Sequence, residues 1–224
     1  WCGHAPVLEE DIAMANVGLD LIGQAKLWLT LAGEVEGKGR SADALAFLRD
    51  TREFRNALLV EQPNGDYGQT LMRQFLFDAW HLPMLLALRQ SADSRVADIA
   101  AKCAKEAEYH LDRSRDLVVR LGDGTAESRA KMQAALDLLY PFAAEMNAAD
   151  AIDEAIAAAG LGPLLADIVK DFENTVAAVA ADATLTLPTA PARTGGKAGR
   201  HTEEFGRLLA EMQWLQRAYP GAAW

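Results

Sequence analysis

The sequence predicts an all-α protein, a bundle of four long helices with additional shorter ones. Alanine, leucine and charged residues dominate, whereas the β-branched and aromatic residues that favour strands are sparse. Apolar residues recur at helical spacings, and no segment alternates at period two for long. Half of the 224 residues are hydrophobic, which is enough for a sizeable core, so we expect a single domain over residues 1–224.

The first predicted helix runs from Leu8 to about Glu34 and is apolar on two sides. One side is made of positions spaced three, four or seven apart: Leu8, Ile12, Ala15, Leu19, Ile22 and Leu29. The opposite side carries Val17, Leu21, Trp28 and Leu31. We expect a helix that is apolar on both sides to be buried.

Glycine and serine mark the end of the first helix and the start of a shorter one. Three glycines between residues 33 and 39 end the first helix, and Ser41 is a suitable cap for a helix through Leu48. A further helical segment is expected to reach the turn sequence Pro-Asn-Gly-Asp at 63–66.

Two more long helices follow this turn. The first is predicted over residues 66–91, with a kink at Pro83 because proline cannot donate the intrahelical hydrogen bond. Asp93 or Ser94 caps the next, which continues to Leu121.

The fourth long helix begins after the break at residues 122–125, where Thr125 is the predicted cap. Its apolar stripe consists of Met132, Leu136, Leu139, Ala143 and Met146. Shorter helical segments are predicted at about 150–159 and 163–182, followed by a long loop over 183–200 and a last helix from Thr202 to Ala218.

Charge and composition exclude several classes of partner. The formal net charge is -10 and the pI about 4.9, so no broad basic face is available for nucleic acid or an anionic membrane. The longest uncharged stretch, 155–166, contains two glycines and a proline and is far shorter than the roughly 20 apolar residues that span a bilayer. We therefore expect neither nucleic acid nor membrane as a partner.

The cysteines and the first residues bear on the compartment and on the start of the chain. Cys2 and Cys103 are too few for the disulfide framework of a small secreted domain, and no charged and apolar leader is present. We expect a cytoplasmic protein. The chain opens on Trp1 without methionine, so we expect that a short N-terminal segment is absent.

Carboxylates and imidazoles on apolar helix faces suggest parts of a buried di-metal site. A buried carboxylate has to be paired, protonated or metal-bound. Asp78 and His81 stand three residues apart on one helix, the spacing by which Glu-x-x-His supplies two ligands in carboxylate-bridged bundles. Asp20 on the first helix, and Glu106 with His110 on the third, are the other candidates.

The set is incomplete on the fourth helix. Its nearest equivalent of the ligand pair is Asp137 with Tyr140, which has no imidazole. A simpler interpretation also exists for every candidate. Asp78 and His81 can form hydrogen bonds across the core, Glu106 can pair with Lys102 or His110, and Asp20 can pair with Lys102 or His81. We therefore predict no metal site and treat the five candidates as vestigial.

Common catalytic motifs are absent, and one loop stands out. The sequence has no phosphate-binding loop, dinucleotide fingerprint or nucleophile elbow, and we predict no catalytic residue. The segment 193–201 combines glycines with Arg193, Lys197, Arg200 and His201 in an otherwise acidic chain. It is a candidate contact for a phosphate or an acidic partner, and a solvated loop is the alternative.

Long strings spread over the whole chain carry a resemblance. They are Trp-Cys-Gly-His-Ala-Pro at 1–6, Ala-Asn-Val-Gly-Leu-Asp-Leu-Ile-Gly-Gln-Ala-Lys at 15–26, Leu-Val-Glu-Gln-Pro-Asn-Gly at 59–65, Asp-Ala-Trp-His at 78–81, Arg-Thr-Gly-Gly-Lys at 193–197, and Leu-Ala-Glu-Met-Gln-Trp-Leu-Gln-Arg at 209–217. In these strings, and in its Pro-Gly-Ala-Ala-Trp tail, the chain resembles the C-subunit family of bacterial ring-1,2-phenylacetyl-CoA epoxidases.

The resemblance implies a ferritin-like fold and a structural role in a multicomponent monooxygenase of aerobic phenylacetate breakdown. Di-iron and catalysis would belong to a related A subunit, with which this chain would pair. A small B subunit and a reductase that uses NADPH, a flavin and an iron-sulfur cluster would complete the assembly. Asp20 and Asp78 stand where glutamate is usual in such sites.

Three functions remain open from the sequence. The first is a non-catalytic subunit that stabilises a catalytic relative through broad helical surfaces, with aromatic positions such as Trp28, Trp80, Trp214 and Trp224 as candidates for contact. The second is an active di-metal oxygenase with Asp20, Asp78, His81, Glu106 and His110 as an unusual ligand set. The third is a helical acyl-CoA-binding protein that uses the loop 193–201.

Overall fold

The structure, a computed structural model, describes residues 1–222 and confirms the all-α class for them. These residues form eight α-helices, three 3₁₀ turns and no strand. The helices are α1 Leu8–Glu36, α2 Ala42–Phe47, α3 Tyr67–Leu88, α4 Ser94–Gly122, α5 Ala126–Ala143, α6 Ala151–Ala158, α7 Leu165–Asp182 and α8 Glu203–Ala218. No helix in this part of the chain is long and apolar enough to cross a lipid bilayer.

Side-chain caps fix the starts of the central helices where the sequence predicts them. The Asp66 carboxylate accepts a hydrogen bond from the Gln69 amide at 2.9 Å, and Asp93 accepts one from the Arg95 amide at 2.9 Å. Thr125 accepts one from the Ser128 amide at 3.1 Å. Each cap satisfies a backbone donor that the first helical turn would otherwise leave open.

The segment between α2 and α3 differs from the prediction of a further helix. It forms only two 3₁₀ turns, Thr51–Glu53 and Leu58–Glu61. Asp50 caps the first turn and Phe54 follows it in an extended conformation, so the backbone cannot propagate as a helix. The result is a buried connection with Leu58, Leu59 and Glu61 inside.

Contacts between Cα atoms divide the chain into two compact units. One unit joins residues 1–61 to the segment from Gly195 onward, and the other spans Gln62–Thr194. The single domain over residues 1–224 stays a prediction.

The second unit is the helical bundle. Helix α3 packs against α4, α5 and α7, and α4 also contacts α5 and α7. The bundle core is apolar, with Phe75 and Leu76 of α3, Leu139 of α5 and Phe172 of α7 almost fully buried. Helix α7, predicted only as a shorter segment, packs against α3 and α4 in this unit, whereas α1 belongs to the first unit.

In the first unit, α1 and α8 both pack against α2. Helix α1 packs against α2, where Gly33 leaves room for the Arg40 carbonyl. Helix α8 packs against α2 and both preceding 3₁₀ turns. The Gln213 amide, which is buried, donates to the carbonyl oxygens of Ala46 at 3.0 Å and Arg49 at 2.9 Å.

Helix α1 is not buried on both sides, contrary to the expectation from its composition. Its buried residues are Val17, Gln24 and Gly33, whereas Leu8, Ile12, Leu19 and Ile22 on the other side are 52–71% exposed. Helical periodicity reports that a face is apolar and cannot report what covers it.

The tryptophans named as candidate contacts fall into different environments. Trp214 of α8 is 61% exposed, Trp28 and Trp80 are partly buried, and Trp224 lies outside the described residues. Trp80 has a buried indole nitrogen with no hydrogen-bond partner in residues 1–222.

Candidate functional site

Asp78 is the centre of a polar cluster inside the bundle. Its residue is 0% exposed, because α3 turns this face toward α4. The Gln74 side-chain amide, one turn earlier on α3, donates to one carboxyl oxygen at 2.6 Å. The Ser114 hydroxyl of α4 lies 2.8 Å from the other oxygen. Both oxygens of the predicted ligand are therefore occupied by neutral side chains.

Burial makes Asp78 a weak acid. It raises the pKa of Asp78 to about 7, and the hydrogen bonds from Ser114 and Gln74 offset only part of this effect. The Ser114 hydroxyl also lies 3.3 Å from the Leu111 carbonyl. A protonated Asp78 can thus donate to Ser114 while Ser114 donates to Leu111, so the cluster accommodates the neutral acid without a counter-ion.

His81 lies one turn further along α3 and does not bond to Asp78. Its ring stacks at a tilt on Phe77, with ring centroids 4.7 Å apart, and its Nδ1 is buried without a hydrogen-bond partner among residues 1–222. Burial, together with a smaller contribution from the nearby His110, lowers the pKa of His81 to about 4. His81 is therefore a neutral imidazole at physiological pH.

His110 joins the same interior from α4. It is 1% exposed and lies close enough to His81 to act on its charge. Asp78, His81, His110 and Ser114 thus form a polar seam between α3 and α4, which we call the α3–α4 seam. Because its only acid is a weak one, the seam offers little negative charge for a divalent cation.

The other two bundle helices supply no polar group to this interior. The buried positions of α5 and α7 are apolar throughout, and the largest are Met132, Leu136, Leu139, Phe142, Ile168, Phe172 and Val176. Asp137, the predicted partner on α5, is exposed and accepts a hydrogen bond from Gln133 at 2.8 Å. Tyr140 is partly exposed, and burial raises the pKa of its phenol.

These residues do not fit a carboxylate-bridged di-metal centre. Such a centre takes an acid from each of four helices and two histidines, whereas the α3–α4 seam has one buried acid on two helices. Within the described residues, no three His, Cys, Asp or Glu side chains are grouped so that they could hold a metal ion.

The remaining candidate ligands, Glu106 and Asp20, are partly exposed. Glu106 is a residue of α4, one turn before His110, and Asp20 is a residue of α1 in the first unit. Glu106 acts on Cys103, where burial and then the Glu106 charge raise the pKa of the thiol. The structure therefore brings together Asp78, His81 and His110 from the predicted set.

The loop 193–201 is partly buried rather than fully solvated. Gly195 and Gly196 are buried, and a Cβ at Gly196 would overlap the Asn56 carbonyl oxygen. Arg193 places its guanidinium 5.0 Å from the centre of the Phe142 ring. Arg193 and Arg200 are exposed and Lys197 is partly exposed, so these three remain the candidates for a phosphate or an acidic partner.

His201 faces inward and is fully engaged. Its Nδ1 lies 2.6 Å from a Glu61 carboxylate oxygen, and its Nε2 lies 3.2 Å from the Phe54 carbonyl. The Asn56 amide donates to the same Glu61 oxygen as His201 at 2.9 Å. The Thr202 backbone amide and hydroxyl both donate to the other oxygen at 2.8 Å. Both ring nitrogens face acceptors, so His201 is not available to a ligand.

The partners of the buried acids Asp78 and Glu61 were not predicted from the sequence. Gln74 and Ser114 satisfy Asp78, although Ser114 was recognisable as a small polar residue on the core face of α4. Glu61 was not among the candidates. Its signal is an acid that directly follows Leu58, Leu59 and Val60, in one of the strings that carry the resemblance.

Comparison with known proteins identifies the family of the chain. Residues 1–224 match the family model of the phenylacetic acid catabolic proteins, PaaA_PaaC. The chain is also 50% identical over 225 residues to the C subunit of the 1,2-phenylacetyl-CoA epoxidase of Escherichia coli strain K12, with 100% of this chain and 90% of the relative covered. The chain therefore belongs to the phenylacetic acid catabolic protein family.

Proposed function

We propose that this chain is a non-catalytic subunit of a phenylacetyl-CoA epoxidase, in which it pairs with and stabilises a related helical subunit that carries the di-iron site. The observation that carries the proposal is the α3–α4 seam, whose single buried acid is already satisfied by Gln74 and Ser114. The relative with half of its residues identical is named as a subunit of such an enzyme, which supports the assignment to an assembly.

The chain itself would hold no cofactor. A di-iron site needs several carboxylates to balance its charge, and α5 and α7 bury only apolar residues. In this proposal the partner supplies the iron, and a separate reductase supplies electrons. The chain contributes a rigid bundle and apolar surface for the assembly.

The test is reconstitution with the catalytic subunit of the same enzyme. The isolated chain should show no oxygen-dependent turnover of phenylacetyl-CoA, and turnover should appear when the catalytic subunit, the other components and NADPH are added. Oxygen-dependent turnover by the chain without the catalytic subunit would refute the proposal.

A variant pair distinguishes a structural role from a catalytic one. Asp78→Asn and His81→Gln keep the size of each side chain and remove its capacity to bind iron. Assemblies that contain either variant should turn over at about the wild-type rate, whereas loss of an iron ligand costs orders of magnitude in rate. Loss of turnover in an assembly that still forms would favour the alternative of an active di-metal oxygenase.

A further inference from the structure

The loop from Gly195 to Arg200 holds two exposed arginine side chains against its backbone. The Arg200 amide donates to the Gly195 carbonyl at 2.8 Å, which closes the loop. The Arg55 guanidinium lies against Gly199, and the Nε of Arg200 lies 3.7 Å from the position that a Cβ of Gly195 would take. Both arginines are exposed, and all four residues belong to the first unit. We call Arg55 and Arg200 the arginine pair.

The glycines of the loop are what allow this arrangement. A Cβ at Gly199 would overlap the Arg55 guanidinium, and a Cβ at Gly195 would lie 2.9 Å from the Arg200 carbonyl oxygen. The φ angles are 153° at Gly195 and 77° at Gly199, in the region that residues with a Cβ rarely adopt. The glycine pattern of the segment therefore places both arginines on one short loop.

The two guanidinium groups of the arginine pair are within reach of one ligand. The Arg55 guanidinium contacts Gly199, and the Cα of Gly199 is about 3.8 Å from the Cα of Arg200 across their peptide bond. An exposed arginine side chain is long enough to bring its own guanidinium beside a group at this distance. A single oxyanion can therefore accept hydrogen bonds from both arginines.

Arg55 is held in place by the backbone around it. Its Nη1 donates to the carbonyl oxygens of Arg52 at 2.7 Å and Phe54 at 3.1 Å. Within residues 1–222 these bonds leave the donors on Nε and Nη2 for a ligand. A guanidinium that is already fixed loses less conformational freedom when it binds an oxyanion.

The acids near the arginine pair have other partners. Glu53 accepts a hydrogen bond from the Asp50 amide at 2.7 Å, and Asp50 accepts one from the Thr51 amide at 2.7 Å, so both acids cap their own turn. The buried Glu61 is surrounded by its own donors. Within residues 1–222, no carboxylate forms an ion pair with either member of the arginine pair. Two positive charges thus remain without a counter-ion from the chain.

We propose that the arginine pair is a binding site for the phosphate group of a small molecule. A phosphate monoester carries about two negative charges near pH 7 and three acceptor oxygens, so it matches two guanidinium forks, whereas a carboxylate balances only one of them. The net charge of -10 repels long polyanions such as nucleic acid, which favours a small ligand. The proposal is independent of the function proposed above.

Titration of the full ¹⁵N-labelled chain, followed by NMR at the arginine Nε–H groups, tests this proposal. Inorganic phosphate and adenosine monophosphate should each shift the resonances of Arg55 and Arg200 at low ionic strength, and adenosine should not. Arg200→Gln should weaken phosphate binding, measured at Arg55, by about tenfold or more, because one of the two charges is lost. The matched control is Arg129→Gln, which removes an exposed arginine of α5 and should bind as the wild type does.

The outcomes distinguish the possible ligands of the site. Tighter binding of adenosine monophosphate than of inorganic phosphate would support a nucleotide as the source of the phosphate, and equal binding would support recognition of the phosphate group alone. Acetate that binds as tightly as phosphate would indicate a single carboxylate, such as that of an acidic protein segment, and would overturn the proposal. Absence of shifts with both phosphate probes would overturn it as well, and so would equal weakening by Arg200→Gln and Arg129→Gln.

A second variant keeps the test informative if Arg200→Gln folds poorly. Arg55→Lys keeps the positive charge and removes the planar fork that binds two oxygens at once. Phosphate binding to this variant, measured at the Arg200 resonance, should be weaker than in the wild type by about threefold or more. An affinity equal to that of the wild type would contradict the proposal.

Discussion

At the residue scale, Asp78 and His81 pull the stability of the fold in opposite directions with pH. The pKa of Asp78 is raised to about 7, so the folded chain holds a proton that the unfolded chain releases near its ordinary pKa of 3.8. Its contribution to stability falls as pH rises across this window. The pKa of His81 is lowered to about 4 from 6.5, so its contribution rises with pH over an overlapping range.

Replacing Asp78 with Asn should leave the contribution of His81 to the pH dependence of stability unopposed. Between pH 4.5 and 6.5 the contributions of Asp78 and His81 to the pH dependence of the free energy of unfolding largely cancel in the wild type. The variant lacks the Asp78 contribution, so its free energy of unfolding should rise with pH relative to the wild type. The rise is at most about 1.4 kcal/mol per pH unit, the value for one proton. Urea unfolding across this pH range measures the difference. Asp98→Asn, at an exposed position of α4, is the control and should follow the wild-type slope. A pH-independent difference for Asp78→Asn would show that the acid is ionised throughout.

Glu61 is another buried acid, and a different set of donors satisfies its carboxylate. Its carboxylate has four donors, from Asn56, His201 and Thr202. Each ring nitrogen of His201 lies within hydrogen-bonding distance of an acceptor, Nδ1 of Glu61 and Nε2 of the Phe54 carbonyl. The pair therefore fixes the segment after Gly199 to the connection before α3.

Substitution of Glu61 by Gln should destabilise the chain strongly. Glutamine has only one acceptor oxygen, whereas glutamate has two. In one orientation its NH2 group would face the two Thr202 donors, and in the other it would face His201. Either orientation leaves a buried donor without an acceptor. We expect a loss of about 3–5 kcal/mol in the free energy of unfolding. Glu127→Gln, which removes an exposed pair with Lys131, should leave it unchanged. A small effect at Glu61 would mean that the pair adds nothing over a neutral contact.

At the element scale, helix boundaries were predictable because their determinants are local. Asp66, Asp93 and Thr125 each cap a helix within three residues of themselves, and the sequence contains all that such a cap requires. The seam positions Asp78 and His81 were predictable from their three-residue spacing. Their partners Gln74 and Ser114 are recognisable as polar residues, but which polar residue reaches Asp78 depends on the packing of α3 against α4.

Tertiary choices were not predictable from the same patterns. Helix α7 carries an apolar stripe and packs against α3 and α4, but the periodicity of a stripe does not state which helices it will meet. The apolar face of α1 was expected to be buried, yet Leu8, Ile12, Leu19 and Ile22 on it are 52–71% exposed, because periodicity shows that a face is apolar and not what packs on it. The role of Glu61 was equally difficult to predict, since three of its four donors belong to His201 and Thr202, about 140 positions away.

The glycines of the chain provide an element-scale test. Gly196 lies where the loop before α8 packs against the backbone at Asn56 and Leu58. Gly196→Ala should destabilise the chain by about 1–3 kcal/mol, because the methyl group would overlap the Asn56 carbonyl oxygen. Gly206→Ala, in the first turns of α8 with open space at the Cβ position, should stabilise it by up to about 1 kcal/mol. Thermal unfolding of both variants measures the contrast, and equal effects would refute the close packing at residue 196.

At the scale of the whole molecule, the helical bundle combines one polar seam with a core that is otherwise largely apolar. The α3–α4 seam keeps one weak acid and two imidazoles, and α5 and α7 fill the remaining space with leucine, phenylalanine and methionine. Such an interior has a low electrostatic cost, since it contains no buried like charges that a cation would have to balance.

Iron analysis of each chain after assembly tests the central claim most directly. The complex with the catalytic subunit would be formed and then separated into its two chains under mild denaturing conditions. Iron would be measured in the intact complex and in each separated chain. The same measurements would be made on a complex that contains the Asp78→Asn, His81→Gln double variant. We predict that all iron is accounted for by the catalytic subunit, that the double variant changes neither the iron content nor the turnover of the complex, and that the isolated chain binds no stoichiometric iron. Stoichiometric iron in this chain that the double variant abolishes would contradict the account.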